Sequence, residues 1–264
     1  MKEKINDFKR IFIFLIIAIS LSNIFRFDVF GIKEYLEDLP TWIYILLTVL
    51  LEGSGVFIGA LIAIYLLRKK RKTDISFWGT SRMKGLLMAI IPILLLIIIG
   101  VKNDYGLNNH LYALIAISGS LVYCIMEEFG WRGYLQEEFK NLKPIIRYLL
   151  IGFIWYFWHL SFLTEATLSQ NLLFLGILII GSWGLGQVAE LTKSILASAS
   201  FHLIIQIMMY NSLFKNGIDG TQKIIILGIS VTLWIIILGK WKKEQLKKEE
   251  LIIENEYNKQ SPNR

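Results

Sequence analysis

The sequence has a single cysteine, Cys124, and only three histidines among its 264 residues. One cysteine excludes an internal disulfide framework and any cysteine-based zinc finger. Cys124 is therefore expected to be a small buried apolar residue. The chain also lacks an internal repeat, a low-complexity run and any sign of a second domain, and its apolar runs contain almost no charge.

Apolar residues are abundant instead. They make up 55% of the chain, whose mean hydropathy is +0.54, and a soluble domain of this length is usually less apolar. The composition predicts an all-α polytopic membrane protein, with the lipid bilayer as its first partner. The net charge of +7 does not indicate nucleic-acid binding, because the basic residues stand at the ends of apolar runs, where they set topology.

Eight apolar runs are suited to cross a hydrocarbon core of about 30 Å as helices. They cover residues 11–24, 41–67, 86–101, 112–126, 148–163, 172–188, 194–214 and 224–238. The first run lacks a cleavage site and is expected to be a retained helix, and Pro92 is expected to kink the third. Residues 1–239 then form one transmembrane domain, followed by a charged cytosolic tail, 240–264, with a short helix and disorder.

The distribution of lysine and arginine predicts the topology. One side of the membrane holds most of these residues, including the run Arg68–Lys72, which is the strongest cytoplasmic anchor. The other side holds only Arg26, Lys33, Lys102, Lys215 and Lys223. Eight spans with both termini in the cytosol satisfy this asymmetry, and the Ile- and Lys-rich composition favours a bacterial plasma membrane.

Ionisable residues inside apolar spans are costly, by on the order of 3 kcal/mol, and each is therefore a candidate for function. These residues, with one amide, are Glu52, Glu127, Glu128, His159, His202 and Gln206. Glu128 and Arg132 are four residues apart and are expected to pair, while Glu127 points about 100° away on the helix. His202 and Gln206 are also four apart and are expected to face one groove.

Each of these features has a simpler interpretation. The Glu127–Arg132 cluster is also what a charged helix end at the lipid surface looks like, and Trp42, Trp131 and Trp241 are typical of an interfacial aromatic belt. Glu52 is expected to be a buried protonated acid bonded to a neighbouring helix, with a proton relay as the alternative. Together, however, two carboxylates, two histidines and an amide on three helices are suited to activate water and stabilise an oxyanion.

The same residues resemble the CPBP family, the CAAX-protease and bacteriocin-processing intramembrane proteases. Glu127, Glu128 and Arg132 match the family motif EExxxR, and Gly133–Gln136 is family-like as well. His159 matches the motif FxxxH, with Trp155 in place of Phe. His202 matches HxxxN, with Gln206 in place of Asn, and the resemblance covers residues 112–214.

The resemblance implies a glutamate-based endopeptidase. Glu127 would be the general base, His159 would help hold the water, His202 and Gln206 would stabilise the oxyanion, and Arg132 would orient Glu128. No cofactor is required in this interpretation, although zinc held by Glu127, His159 and His202 stays open as an alternative. The longer Gln206 amide is expected to displace an oxyanion donor by about an ångström.

The substrate class implied is a membrane-associated or lipidated peptide cleaved on the cytosolic side, in peptide maturation or bacteriocin immunity. A non-catalytic membrane binding or immunity protein on the same fold is the alternative. A proton-coupled transporter using Glu52 is disfavoured, because no inverted repeat is visible. For the site residues to lie at one depth, the fourth span must continue as a helix through Gln136.

Overall fold

A computed structural model describes residues 2–67, 73–160, 167–209 and 211–260 of the chain. The predicted anchor at residues 68–72, the end of the fifth predicted span and Pro262 lie outside these described residues. The helices are α1 (Lys2–Arg26), α2 (Ile32–Glu37), α3 (Thr41–Leu61), α4 (Arg82–Ile99), α5 (Asn109–Gly130), α6 (Gln136–Glu138), α7 (Pro144–Trp158), α8 (Leu168–Thr192), α9 (Ile195–Met208), α10 (Ser212–Lys215) and α11 (Gly220–Gln260).

The prediction of an all-α polytopic membrane protein is confirmed. Six of the described helices are long and apolar enough to cross a membrane, judged by length and composition. Two shorter apolar helices, α7 and α9, complete the set of eight apolar segments that the sequence predicts. No strand is present in the described part of the chain.

The fourth predicted span continues well past Met126. α5 passes through a π-helical turn, Trp131–Leu135, directly into α6, so that one apolar unit runs from Asn109 to Glu138. The prediction that this helix continues through Gln136 is confirmed. Its consequence is that Glu127 and Glu128 lie within the bundle and not at the end of a helix.

Small residues allow the first helices to approach closely. Gly55 and Gly59 of α3 face α1, where an added Cβ on Gly55 would lie 2.4 Å from the Ser22 Oγ. On the other side of α3, Gly130 of α5 packs against Val56, whose Cγ1 would be 2.3 Å from an added Cβ. Close backbone approach of this kind stabilises membrane helix pairs through van der Waals contact.

α9 lies at the centre of the bundle and packs against α4, α5, α8 and α11. Most of its residues are buried, including the small side chains of Ala197, Ser198, Ala199 and Ser200. Cys124 of α5 is buried in the same core, which confirms the expectation from the sequence. The helix that carries His202 is thus held on several sides.

α11 has 41 residues and shows no break near residue 239. The charged tail therefore begins within this helix, and residues 240–260 are helical as a continuation of the last span. Trp241 is 1% exposed and its Nε1 donates to the Thr80 hydroxyl at 2.6 Å. The expectation that Trp241 belongs to an interfacial belt is wrong, whereas Trp42 is 53% exposed at the start of α3, as an interfacial residue would be.

Candidate active site

A cavity of about 400 Å³ lies among the helices that carry the predicted site residues. Its polar and aromatic lining includes Arg26, Glu52, Tyr123, Trp155, His159, His202 and Gln206. The lining also reaches Tyr105, in the loop between α4 and α5, and residues 211–213 after α9. These residues lie at the end of the bundle away from the start of α1 and the end of α11, and the cavity extends toward that end.

Glu128 joins the helix of the first motif to the helix of the third. Its Oε1 lies 3.0 Å from the Nδ1 of His202, and its Oε2 lies 3.2 Å from the Nε of Arg132. Glu128 and Arg132 are both 0% exposed, so the predicted pair is confirmed as a fully buried one. The Glu128–Arg132 contact is within ion-pair distance, but its atoms are not aligned for a hydrogen bond. Charge attraction therefore holds the two side chains together.

Glu127 has a different set of partners on the other side of the helix. Its Oε2 accepts hydrogen bonds from the indole Nε1 of Trp131, at 3.2 Å, and of Trp155, at 3.1 Å. Its Oε1 forms no well-aligned hydrogen bond in the described residues, although the Tyr123 hydroxyl lies within hydrogen-bonding range of this carboxylate. Glu127 is 0% exposed and does not line the cavity, so the predicted base lies behind the cavity wall.

Trp131 is therefore not an interfacial residue, and that expectation is wrong. It is fully buried, with its ring packed against Phe14 and Trp158, and it donates to a carboxylate one turn earlier on the same helix. The reason is the continuation of α5 into the π-helical turn. This turn carries Trp131 into the bundle, whereas a helix ending at Met126 would have left it at the surface.

His159 lies just beyond the end of α7, at the C-cap position that follows Trp158. Its backbone leaves the helix at φ −82° and ψ 51°, and its Nδ1 donates to the carbonyl of Trp155 at 2.8 Å. The Trp155 ring stands between the two histidines, with its centroid 5.9 Å from His159 and 5.1 Å from His202. Trp155 therefore contacts the second and third motif residues and also binds Glu127.

Gln206 lines the cavity together with His202, so the prediction that they share one groove is confirmed. Glu52 lines the same cavity and is only partly buried. In the described residues its side chain forms no hydrogen bond to a neighbouring helix. The expectation of a buried, helix-bonded acid is wrong, because α3 turns this carboxylate toward open space.

Sequence reasoning did not identify Arg26 and Tyr123 as site residues. The Nη2 of Arg26 donates to the Tyr123 hydroxyl at 3.1 Å, and both residues line the cavity. Arg26 counted only as a topological charge at the end of the first span, and Tyr123 as one more aromatic residue of an apolar run. The one available signal was that Tyr123 lies four residues before Glu127, on the same helical face.

The residues named for zinc do not form a metal-binding group. In the described ranges, no three His, Cys, Asp or Glu side chains are placed to hold a metal ion. The arrangement therefore does not fit the zinc alternative, and no step of the chemistry below passes through a metal.

Comparison with known proteins adds one match. Residues 109–208 match the family model described as type II CAAX prenyl endopeptidase Rce1-like. Searches of curated proteins and of solved structures give no match. The matched segment runs from the first residue of α5 to the last residue of α9, so it contains all three motifs and the residues that join them. This match supports the assignment of the chain to the CPBP/CAAX protease family.

Proposed function

We propose that this integral membrane protein is an intramembrane endopeptidase that hydrolyses a peptide bond of a membrane-associated or lipidated peptide. One observation carries the proposal. Glu128 binds His202 across two helices, while His202, His159 and Gln206 face one cavity that a peptide segment could enter. Ionisable groups concentrated around one cavity inside an apolar bundle are costly unless they serve a reaction or a ligand.

In the proposed reaction, His202 and Gln206 stabilise the oxyanion that forms when water attacks the peptide carbonyl. The Nδ1–H of His202 donates to the Glu128 carboxylate, so Nε2 can donate to the oxyanion only when the ring is a doubly protonated imidazolium, a cation that the adjacent carboxylate stabilises. The Gln206 side chain, one turn further along α9, supplies an amide N–H to the same groove. Arg132 holds the Glu128 charge in place and so fixes the histidine indirectly.

Glu127 is the proposed general base: its Oε1 would accept the proton of the attacking water and then return it to the leaving amine nitrogen as the C–N bond breaks. Because Glu127 has no exposed surface, water reaches this oxygen only after a cavity-lining side chain moves aside. Tyr123 and Trp155 interact with Glu127 and also line the cavity, so they are the side chains that must shift. His159, which contacts Trp155, would then hold the incoming water.

The position of the cavity changes the expected side of access. Glu127 lies 11 residues, or about 16 Å, from the Glu138 end of its helical unit, and the cavity extends in the opposite direction. If both termini are cytosolic, as the positive-inside rule predicts, a substrate enters from the extracytosolic side. This differs from the cytosolic cleavage expected from the resemblance, and it favours exported peptides as substrates in peptide maturation or bacteriocin immunity.

The test uses the purified chain in nanodiscs and a set of N-palmitoylated peptides whose cleavage is followed by mass spectrometry. Glu127→Gln and His202→Ala are expected to lower cleavage by at least about 100-fold, because proton transfer and oxyanion stabilisation each contribute about that much. Glu34→Gln, which changes an exposed glutamate of α2, is the matched control. Cleavage that persists in Glu127→Gln would show that Glu127 is not the base.

The occlusion of Glu127 favours a second candidate, a non-catalytic membrane binding or immunity protein on the same fold. In that case the two indole bonds hold the carboxylate permanently, and the cavity binds a peptide without cleaving it. A wild-type chain that binds peptides but cleaves none of them, with a protective phenotype unaffected by Glu127→Gln, would establish this candidate.

A further inference from the structure

Arg26 is a cation that lines the cavity but has no role in the proposed hydrolysis. It is the last residue of α1 and lines the cavity beside Tyr123, while its Nη1 donates to the carbonyl of Trp158 at 3.3 Å. Its guanidinium stacks on the Trp158 ring, 3.6 Å from the centroid. The bonds to Trp158 and Tyr123 together with this stacking hold the group in one orientation.

The neighbours of Arg26 are a carbonyl, a phenol and an indole, and none of these carries a negative charge. No acidic side chain in the described residues lies within ion-pair distance of it. Glu52 lines the same cavity but forms no ion pair with Arg26. A charged group that is partly removed from water without a counter-ion is unfavourable, and an anionic ligand would offset this cost.

The guanidinium has five N–H donors, and two of its nitrogens already donate one bond each, to Trp158 and to Tyr123. The remaining donors are sufficient for a carboxylate, which planar guanidinium binds with good geometry. Arg26 is also close enough to His159 for their charges to interact. A carboxylate bound at Arg26 would therefore lie next to a residue of the proposed reaction centre.

We propose that Arg26 is a substrate-binding residue that takes a carboxylate of the peptide, either a free C-terminus or an acidic side chain close to the scissile bond. This inference rests on the proposed function, since it names a chemical feature of the substrate of that site. It concerns binding alone, so it is tested separately from hydrolysis.

The test measures equilibrium binding to the full chain carrying Glu127→Gln, in nanodiscs, so that no probe is consumed. Three N-palmitoylated tetrapeptide probes are compared: one of Gly and Val with a free C-terminus, its C-terminal amide, and the same amide with Asp as the last residue. One charge-assisted contact predicts that the free acid binds about 10- to 100-fold more tightly than its amide. If the Asp amide binds equally well, either carboxylate source is accepted, and if it does not, the C-terminus is the ligand.

Adding Arg26→Gln is expected to bring the ratio of affinities for acid and amide to about one, while Arg26→Lys keeps part of it. Lys215→Gln, which removes an exposed cation near the same end of the bundle, is the matched control and should leave the ratio unchanged. If Arg26→Gln does not fold, a reduced ratio in Arg26→Lys replaces it. The proposal would be overturned if neither the free acid nor the Asp amide bound more tightly than the plain amide, or if the preference for a carboxylate survived Arg26→Gln. Carboxylate-selective binding in a wild-type chain that cleaves nothing would refute the proposed function alone.

Discussion

The burial of the Glu128–Arg132 pair determines how strongly its disruption should destabilise the protein. Glu128→Gln leaves the Arg132 guanidinium in the core without its nearest anion, and arginine cannot release its charge by losing a proton. Breaking a buried pair from one side costs about 3–5 kcal/mol, so the equilibrium between folded and unfolded protein should shift by two to three and a half orders of magnitude, roughly.

Arg132→Met is expected to cost less than Glu128→Gln, because a glutamate that loses its partner can bind a proton and become neutral. Glu128→Gln combined with Arg132→Met removes both charges together. This double variant should be more stable than the sum of the two single effects implies, and the difference measures the coupling between the residues.

The measurement is a reversible SDS titration in mixed micelles followed by far-UV circular dichroism. Glu244→Gln is the control, since it breaks the ion pair between Lys84 and an exposed Glu244 and should give no measurable change. If Glu128→Gln lowers the free energy of unfolding by less than about 0.5 kcal/mol, the pair contributes no more than an exposed helical ion pair does. That result would refute the reasoning and restore the interpretation of a charged helix end at the lipid surface.

Further predictions concern the reaction and the packing around it. Gln206→Asn is expected to raise turnover if the shorter amide places the oxyanion donor better, and unchanged turnover would argue against that role. Trp155→Phe should lower the free energy of unfolding by about 1–2 kcal/mol, because Glu127 keeps only one indole donor; an unchanged SDS midpoint would contradict the bond. Gly130→Ala should destabilise the chain by about 1–3 kcal/mol through a clash with Val56, seen in the same titration. Dialysis against a chelator should leave cleavage unchanged, and a loss of cleavage that zinc restores would overturn the metal-free mechanism.

Local spacing predicted the parts of the site that depend on one helix. Glu128 and Arg132 are four residues apart, as are His202 and Gln206. These separations were sufficient to predict that the members of each pair lie together, because a helix fixes which side chains share a face. The long fourth span also followed from the sequence, since the motif residues must lie at a common depth. These features need only the helical repeat and the rise per residue.

The remaining features depend on contacts between distant segments, which spacing cannot specify. Trp155 is 28 residues from Glu127, and Arg26 is 97 residues from Tyr123, so neither hydrogen bond has a local signature. Trp131 was assigned to the interface because tryptophan is common there. The direction of the Glu52 side chain likewise depends on where the neighbouring helices leave a cavity.

α11 is much longer than the bilayer requires. Its 41 residues make a helix of about 60 Å, whereas the hydrocarbon core is about 30 Å thick, so roughly half of it lies outside the lipid. Trp241 and Gln245 attach it to Thr80 near the point where it leaves the bundle. A tilt of about 10° around this attachment would move the far end by about 5 Å. A helix of this length would act as a lever arm: a small change of packing inside the membrane would become a displacement of its far end that a spin label could detect.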